Sequence, residues 1–309
     1  MRPEVRGLDA LAPDTQFDQA ATHVTTFRIG GPAWAVTRAH TPEQLRDVLR
    51  FLAERSVPYR MVGKGSNLLF PDEGYPGVLL LLGDGFSELT YGENGLFTAG
   101  AGMSLPRMAN LIARAGIAGL EFSAQIPGSV GGSVAVNAGA FAQDLHSKLI
   151  GVRAVTRMGE EIALPAAALR GAYRSTALKG RQDFILTEAT FRGESADARD
   201  VQRKQKEYGL YREKTQPLKM ASAGCVFKNP GKGCSAGALI DQLGLKGHSV
   251  GDAQVSEKHA NFIVNTGHAR AVDVLELIAQ VQAKAMAEVG IQLETEIELV
   301  TAGQLAMAA

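Results

Sequence analysis

Cys225 lies in the segment SAGCVFKNPG (222–231), between small residues and an apolar pair. A thiol can transfer protons, attack an electrophile or bind a metal, but an isolated cysteine is more often a small buried hydrophobe. Cys234 follows nine residues later, a spacing that matches no zinc motif, and the six histidines form no paired-ligand pattern. We therefore expect no metal, and the role of Cys225 depends on the rest of the chain.

Two glycine-rich tracts could bind a cofactor. GKGSN (63–67) follows a predicted strand, and its glycines allow backbone N–H groups to point at an anion. It has the spacing of neither a P-loop nor GxGxxG. IPGSVGGSVAVNAGA (126–140) contains only small or β-branched neighbours after its proline and could wrap a diphosphate or lie against a flat ring. Tight turns and close strand packing are the alternative. Two such tracts in one domain favour a nucleotide cofactor, without distinguishing flavin from nicotinamide.

Composition excludes several classes of function. Lys+Arg and Asp+Glu both total 32, so the formal net charge is zero, and no basic domain indicates nucleic-acid binding. The densest basic stretch, 203–214, contains glutamates and is interpreted as a solvated helix face. No apolar run reaches the length of a membrane span, and the N-terminus has no signal-peptide pattern. With few cysteines, we expect a cytoplasmic protein and see no sign of a protein partner.

Periodicity and capping residues predict the elements that must position these groups. Thr41, Pro42 and Gln44 predict a capped helix start within 41–58, and Gly116 predicts the end of a helix that begins at Ser104. Other helices are predicted at 195–209, 236–244 and 272–290, and strands at 59–62, 78–82, 96–99, 151–156, 184–192, 260–265 and 291–300. The mixture without strict βαβ alternation predicts an α+β fold. A change of texture predicts a domain boundary near 192, which gives regions 1–192 and 193–309.

Motifs along nearly the whole chain resemble the UDP-N-acetylenolpyruvoylglucosamine reductase (MurB) family. In order they are TTFRIGGPA (25–33), VGKGSNLLFPDEGYPG (62–77), GLEFSAQIPGSVGGSVAVNAGA (119–140), YRS (173–175), SAGCVFKNP (222–230), ALIDQLGLKG (238–247), VSEKHANFIVN (255–265) and LETEIELV (293–300). The short connection from Arg174 to Cys225 is similar to the subclass without an extra inserted substrate loop.

The resemblance implies an FAD-binding domain of the vanillyl-alcohol-oxidase (PCMH) type, with a first lobe at about 22–70, and a C-terminal α+β substrate-binding domain. FAD would be bound noncovalently and reduced by NADPH, and it would then reduce the enolpyruvyl ether of a UDP-sugar to UDP-N-acetylmuramate. The implied FAD-binding residues are Gly63, Lys64, Gly65, Ser66, Asn67, Leu68, Ile126, Pro127, Gly128, Ser129, Gly131, Gly132, Asn137, Ala138 and Gly139. The implied substrate-binding residues are Tyr173, Lys214 and Asn229.

The resemblance also implies the catalytic residues. Hydride addition to an enolpyruvyl double bond leaves negative charge on the neighbouring carbon, so the site needs a cation or donors and a proton source. Arg174 and Glu296 match the family residues that stabilise this charge. Cys225 occupies the position where a serine commonly donates the proton, and we interpret it as a general acid rather than a nucleophile. From the strand pattern alone, Glu294, Glu296 and Glu298 share a face that is expected to be solvent-exposed.

Two rival functions remain open at this point. A flavin oxidase of the same fold would often tether its cofactor covalently through His or Cys. Neither residue occurs in 61–70 or 125–140, and the histidine nearest to these tracts is His146. A flavin-binding protein without catalysis is the second, because Cys225 departs from the common serine. Smaller departures from the family pattern are Gln125, Ala221 and Asp252.

Overall fold

The computed structural model describes residues 2–181, 183–231 and 233–301. Its strands are β1 (Gln16–Phe17), β2 (Ala33–Ala39), β3 (Tyr59–Met61), β4 (Leu68–Leu69), β5 (Tyr75–Leu82), β6 (Leu89–Tyr91), β7 (Leu96–Gly100), β8 (Ile117–Ala118), β9 (Gly139–Ala140), β10 (Gln143–Asp144), β11 (Leu149–Thr156), β12 (Glu161–Pro165), β13 (Phe184–Arg192), β14 (Glu194–Ser195), β15 (Ala221–Cys225), β16 (Ser249–Val250), β17 (Ala253–Val255), β18 (Phe262–Asn265) and β19 (Glu298–Leu299). Its α-helices are α1 (Leu8–Leu11), α2 (Pro42–Glu54), α3 (Leu105–Arg114), α4 (Val130–Ala135), α5 (Ala198–Thr215), α6 (Ala236–Gln242) and α7 (Ala271–Val289). The α+β class is confirmed.

The first lobe is a sheet of order β1-β2-β5-β3, with α2 packed against it. The aliphatic run 78–82 is its buried strand β5, as predicted. Thr41 caps α2, since its Oγ1 accepts from the N–H of Gln44 at 3.2 Å. The second half of the predicted capping box, in which the side chain of Gln44 would accept from the N–H of Thr41, is wrong. The Gln44 carboxamide oxygen accepts from the N–H of His40, at 2.6 Å, and its amide nitrogen donates to Leu11 O, which ties α2 to the N-terminal segment.

The second lobe is an antiparallel sheet of order β12-β11-β13-β7-β6, covered by α3 and α4. Phe97 and Phe191 stack in its core with ring centroids 5.5 Å apart. Helix α3 begins after Ser104, and Gly116 follows its end with φ +70°, as the sequence predicted. The second glycine tract forms the start of α4, where Ser129 Oγ accepts from the N–H of Gly132.

The C-terminal part is a sheet of order β15-β18-β17-β16, packed against α6 and α7. The predicted helices at 236–244 and 272–290 and the strand at 260–265 are confirmed within two residues at each end. One face of α7 joins Phe227 in a buried apolar core, through Val274, Leu277 and Val281. This part positions the cysteine segment, because β15 ends at Cys225.

The predicted strand at 291–300 is wrong for most of its length. Only 298–299 form strand β19, which pairs in parallel with β4 of the first lobe. Earlier in the segment, Thr295 forms an isolated bridge to Phe227 in the C-terminal part. The segment cannot remain in one sheet because it crosses from one part of the molecule to another. Its apolar side was predicted correctly, since Leu293 and Ile297 are buried.

The region after residue 192 remains attached to the second lobe. Strand β14 pairs with β8, and α5 packs along α3, where the side chain of Gln205 donates to Ala109 O at 2.9 Å. Helix α5 is also longer than the predicted 195–209. The first strand of the C-terminal sheet, β15, begins only at residue 221. The domain boundary near 192 and the extent of the first lobe, about 22–70, stay predictions.

None of the helices in the described ranges is both long and apolar enough to cross a membrane.

Gly65 offers a test of how tightly the first glycine tract is packed. It has φ +59°, and a methyl group there would overlap the carbonyl oxygen of Val24. We expect Gly65→Ala to lower the free energy of unfolding by about 3 kcal/mol or more, the sum of left-handed strain and overlap. Gly7→Ala is the matched control, since Gly7 has φ +89° and faces open space in the described structure, so only about 1 kcal/mol is expected. Equal losses in urea unfolding would contradict this packing.

Candidate active site

A cavity of about 1360 Å³ is bounded by the first lobe, the second lobe and the C-terminal part. Most of the residues predicted to bind ligands or act in catalysis line it. They are Gly63, Lys64, Gly65, Ser66, Asn67, Leu68, Ile126, Pro127, Gly128, Ser129, Gly131, Gly132, Ala138, Gly139, Arg174, Lys214, Cys225, Asn229 and Glu296. The structure thus brings together groups that are more than 200 residues apart in sequence.

Asn137 and Tyr173 are outside this lining as far as the described residues show. Asn137 is buried, and its side chain donates to Ala172 O at 2.9 Å and accepts from the N–H of His146 at 3.0 Å. It therefore holds the chain beside Arg174 rather than facing the cavity. Tyr173 is 54% exposed, with its hydroxyl 3.5 Å from the N–H of Asn229. His146, considered as a tethering residue, is likewise outside the lining.

The two glycine tracts meet at one wall of the cavity. Ser66 Oγ donates to Pro127 O at 2.7 Å, and a methyl group on Gly63 would overlap Ser129 Oγ. Such close packing leaves backbone amides rather than side chains at this wall. Gly224, which also lines the cavity, has φ +80°, and a Cβ there would meet open space within the described structure. The long cavity and its backbone-lined wall fit a dinucleotide cofactor.

Arg174 and Glu296 form an ion pair on the cavity wall. The Nε of Arg174 is 2.7 Å from Oε1 of Glu296, and the side chains are only 22% and 19% exposed. At this distance the guanidinium and the carboxylate hold each other on the wall. Arg174 also has φ +54°, a conformation that costs a non-glycine residue energy and here directs the side chain inward. The pair presents a cation and a donor to whatever occupies the cavity.

Burial governs the protonation of the two acidic groups beside Arg174. Burial, and then the charge of Glu296, raises the pKa of the Cys225 thiol from 9.0 to about 12, while Arg174 and Arg212 oppose the shift. Burial also raises the pKa of Glu296, and Arg174 only partly offsets this effect. The thiol of Cys225 is therefore protonated at neutral pH and can donate a proton. A thiol this weakly acidic is a poor nucleophile at neutral pH.

Alternate carboxylates of the segment 294–298 each pair with a cation. The pairs are Glu294–Lys228 at 2.5 Å, Glu296–Arg174 at 2.7 Å and Glu298–Arg60 at 2.6 Å. The exposed fractions of the glutamate side chains fall from 72% to 19% and 15% along this series. The expectation of a solvent-exposed acidic face is therefore correct for Glu294 and wrong for Glu296 and Glu298. Strand periodicity predicted that the three glutamates share a face, but it could not predict which part of the molecule covers that face.

Helix α5 contributes residues that the sequence analysis missed. Tyr208, Tyr211 and Arg212 line the cavity, so the interpretation of 203–214 as a solvated face is wrong for this side of the helix. Tyr208 stacks on Phe141 with centroids 4.0 Å apart. Burial lowers the pKa of Arg212, which is held by Gln216 at 2.7 Å. The i, i+3, i+4 spacing of these residues was the available signal.

Lys246, Lys258 and His259 line the cavity from the C-terminal part. Burial lowers the pKa of His259, and its Nδ1 accepts from the N–H of Asn261 at 3.3 Å. Asn229 uses its carboxamide oxygen to cap α6 at the N–H of Ala236, which leaves its amide nitrogen for a ligand. This side of the cavity therefore offers cations and donors suited to an anionic, polar molecule.

Comparison with known proteins agrees with this geometry. Residues 216–300 match the family model of the UDP-N-acetylenolpyruvoylglucosamine reductase C-terminal domain, and residues 33–164 match that of an FAD binding domain. The implied fold, an FAD-binding domain followed by the C-terminal domain of this family, is therefore confirmed.

Curated relatives and a solved structure are similar over most of the chain. UDP-N-acetylenolpyruvoylglucosamine reductase of Halalkalibacterium halodurans is 38% identical over 97% of this chain and 99% of the relative. That of Protochlamydia amoebophila is 41% identical over 90% and 91%. The crystal structure of the reductase (MurB) from Thermus caldophilus has a TM-score of 0.78 and 38% identity, covering 93% of this chain and 98% of that one.

Alkylation of Cys225 tests the burial of its thiol. At pH 8 about one in 10,000 thiols with a pKa of about 12 is ionised, against about one in ten with a pKa of 9.0. In a Cys234→Ala background, we expect slow iodoacetamide labelling whose rate rises about tenfold per pH unit through pH 10. A rate that levels off below pH 9 would show that the thiol is not desolvated as described. Cysteine-containing peptide under the same conditions is the control.

Proposed function

Because the chain belongs to the UDP-N-acetylenolpyruvoylglucosamine reductase (MurB) family, we propose that it reduces the enolpyruvyl group of UDP-N-acetylenolpyruvoylglucosamine to form UDP-N-acetylmuramate. The chain is an oxidoreductase of this type, in the synthesis of peptidoglycan precursors. One observation carries the proposal: Cys225, Arg174 and Glu296 line the same cavity as the two glycine tracts. Both cysteines are free thiols, which fits the cytoplasmic location we propose.

The glycine tracts are the proposed cofactor-binding wall. Residues 63–68 and 126–132 would hold FAD through backbone amides, with Ala138 and Gly139 closing the same wall. When bound there, FAD would accept hydride from NADPH and supply hydride to the enolpyruvyl carbon. Asn137 would act indirectly, because its side chain binds Ala172 O and so fixes the backbone beside Arg174.

The C-terminal part and α5 are the proposed binding surface for the nucleotide-sugar. Lys214 and Lys258 line the cavity and would pair with the negative charges of a diphosphate, whereas Lys246 is already paired with Asp241 at 2.6 Å. Asn229 has an amide nitrogen free of its helix-capping contact, which supports a role in holding the sugar. Tyr173 would act at the rim through its hydroxyl contact with Asn229. NADPH and the nucleotide-sugar would use this space in turn.

Arg174 and Glu296 would stabilise the charge that forms when hydride adds to the double bond. The electron pair of the broken π bond moves onto the neighbouring carbon and into its carboxylate. Arg174 offers the cation for this charge, and its guanidinium lines the cavity. Glu296, paired with Arg174 at 2.7 Å, would hold the guanidinium in place for contact with the same carboxylate. Both effects are strengthened because the side chains are largely removed from water.

Cys225 would then deliver the proton. The S–H bond breaks, a C–H bond forms on the carbanionic carbon, and the thiolate regains a proton from water. A pKa of about 12 keeps the thiol loaded at neutral pH, yet leaves it a stronger acid than an alkyl hydroxyl. The positive charges of Arg174 and Arg212, which lower this pKa, would stabilise the transient thiolate.

The flavin spectrum tests both half-reactions. Purified protein should show a visible flavin band that is bleached by anaerobic NADPH and recovers promptly when the UDP-enolpyruvyl sugar is added. UDP-N-acetylglucosamine, which lacks the enolpyruvyl group, is the control and should leave the flavin reduced. A band that bleaches but stays reduced with the true substrate would point to a different acceptor or to a binding protein without this catalysis.

Substitution of Cys225 tests the proton donor. We expect Cys225→Ser to retain substantial turnover, because a hydroxyl can also donate a proton, and Cys225→Ala to lose about 10²–10⁴-fold in kcat. Flavin reduction by NADPH should remain normal in both variants, since that half-reaction needs no proton from Cys225. Equal, undiminished turnover in the two variants would remove Cys225 from the mechanism. Cys234→Ala is the matched control for loss of a thiol.

A further inference from the structure

Arg60 and Glu298 form a second buried ion pair on the cavity wall, which the proposed reaction does not use. Nη2 of Arg60 is 2.6 Å from Oε1 of Glu298, and the side chains are 7% and 15% exposed. Both residues line the cavity. Charged side chains are seldom buried to this extent without a specific partner, and each of these neutralises the other. The pair therefore adds little net charge to the cavity.

Arg60 nevertheless has an unused donor. Its Nε is buried and has no hydrogen-bond partner in the described part of the chain, although the residue is only 6% exposed. A buried donor without an acceptor is costly, so nearly all such groups in folded proteins are satisfied by protein, water or ligand. The neighbouring lining residues Met61 and Gly63 place this part of the wall beside the first glycine tract. An acceptor on a bound molecule would satisfy the donor.

The pair brackets the loop at 63–67. Arg60 precedes the loop on β3, and Glu298 lies against its exit, where its N–H donates to Asn67 O at 2.8 Å. The side chain of Asn67 in turn donates to Glu296 O at 3.3 Å. The orientation of Arg60 is thus coupled to the position of the loop through the segment that also carries Glu296.

We propose that Arg60 is a cofactor-binding residue that donates its Nε–H to an acceptor atom of bound FAD, and that Glu298 is a positioning residue that fixes the guanidinium for this contact. The acceptor is a phosphate oxygen or a carbonyl oxygen or ring nitrogen of the flavin, since all of these accept from a guanidinium. The inference rests on the proposed function only in that FAD occupies this cavity.

Two sets of variants separate this contact from a structural ion pair. Arg60→Lys keeps the charge and can still pair with Glu298, but removes the Nε–H. The double variant Arg60→Met with Glu298→Leu removes both charges together, so that no lone buried charge remains to unfold the protein. Arg46→Met is the matched control, because it breaks another Arg–Glu pair of 2.6 Å, Arg46–Glu161, away from the cavity.

The measurement is the rate of FAD release from each holoenzyme after dilution, followed by the recovery of FAD fluorescence. We expect release on the order of tenfold faster in Arg60→Lys and in the double variant, and an unchanged rate in Arg46→Met. A lowered midpoint potential in the same variants would place the acceptor on the flavin ring. An unchanged potential with faster release would place it on a phosphate.

Wild-type release rate and wild-type potential in both Arg60 variants would overturn the proposal and leave a purely structural pair. This outcome is distinct from failure of the proposed function. A wild-type protein that holds FAD but does not reduce the UDP-enolpyruvyl sugar would contradict the reaction while leaving the release measurement decisive. A wild-type protein that binds no FAD would contradict both.

Discussion

The segment 294–299 is the constraint on which the cavity depends. Its alternate carboxylates pair with cations from three different parts of the chain: Lys228 in the C-terminal part, Arg174 between β12 and β13 of the second lobe, and Arg60 in the first lobe. Backbone pairing of Glu298–Leu299 with Leu68–Leu69 fixes the same segment to the first lobe. The pairs Glu296–Arg174 and Glu298–Arg60 are largely removed from water. Separating either pair would leave a charge with neither solvent nor a partner, which is strongly destabilising. The walls of the cavity are therefore held together by residues that include Arg174 and Glu296, to which the proposed reaction assigns catalytic roles.

Desolvation serves both stability and the proposed reaction. The burial that makes the Glu296–Arg174 pair a tight link also raises the pKa of Glu296 and of Cys225. In water the same groups would be ionised more readily and would interact more weakly. The cost of burying them is offset by the apolar packing beneath, where Leu293 and Ile297 alternate with the glutamates and join the C-terminal core.

The sequence predicted what depends on local patterns. The cap at Thr41, the glycine after α3 and the aliphatic run of β5 each specify their own conformation. The glycine tracts line the cavity, and their binding of a cofactor stays a prediction. What depended on distant packing was missed. A strand pattern could not show that 291–300 crosses between parts, or that its acidic face would be covered. Similarly, a polar helix could not show that Tyr208, Tyr211 and Arg212 would face a cavity, because the partner surfaces lie elsewhere in the chain. Asn137 and Tyr173 are adjacent in sequence to residues that line the cavity, but they are outside its described lining, because the direction of a side chain cannot be read from its position in the sequence.

The pairing of β19 with β4 joins residues about 230 positions apart, and this has a consequence for how the protein is made. During synthesis, the glycine loop and Arg60 leave the ribosome long before the glutamates that pair with the cavity arginines. The first two lobes can therefore collapse around a cavity that still lacks one wall and two counter-charges. Non-local contacts of this kind form slowly, because the chain loses the entropy of closing a long loop before the contacts contribute any stabilising free energy. The wall can therefore close only after the segment 294–299 has been synthesised, and until then Arg60 and Arg174 lack the carboxylates with which they pair in the folded chain.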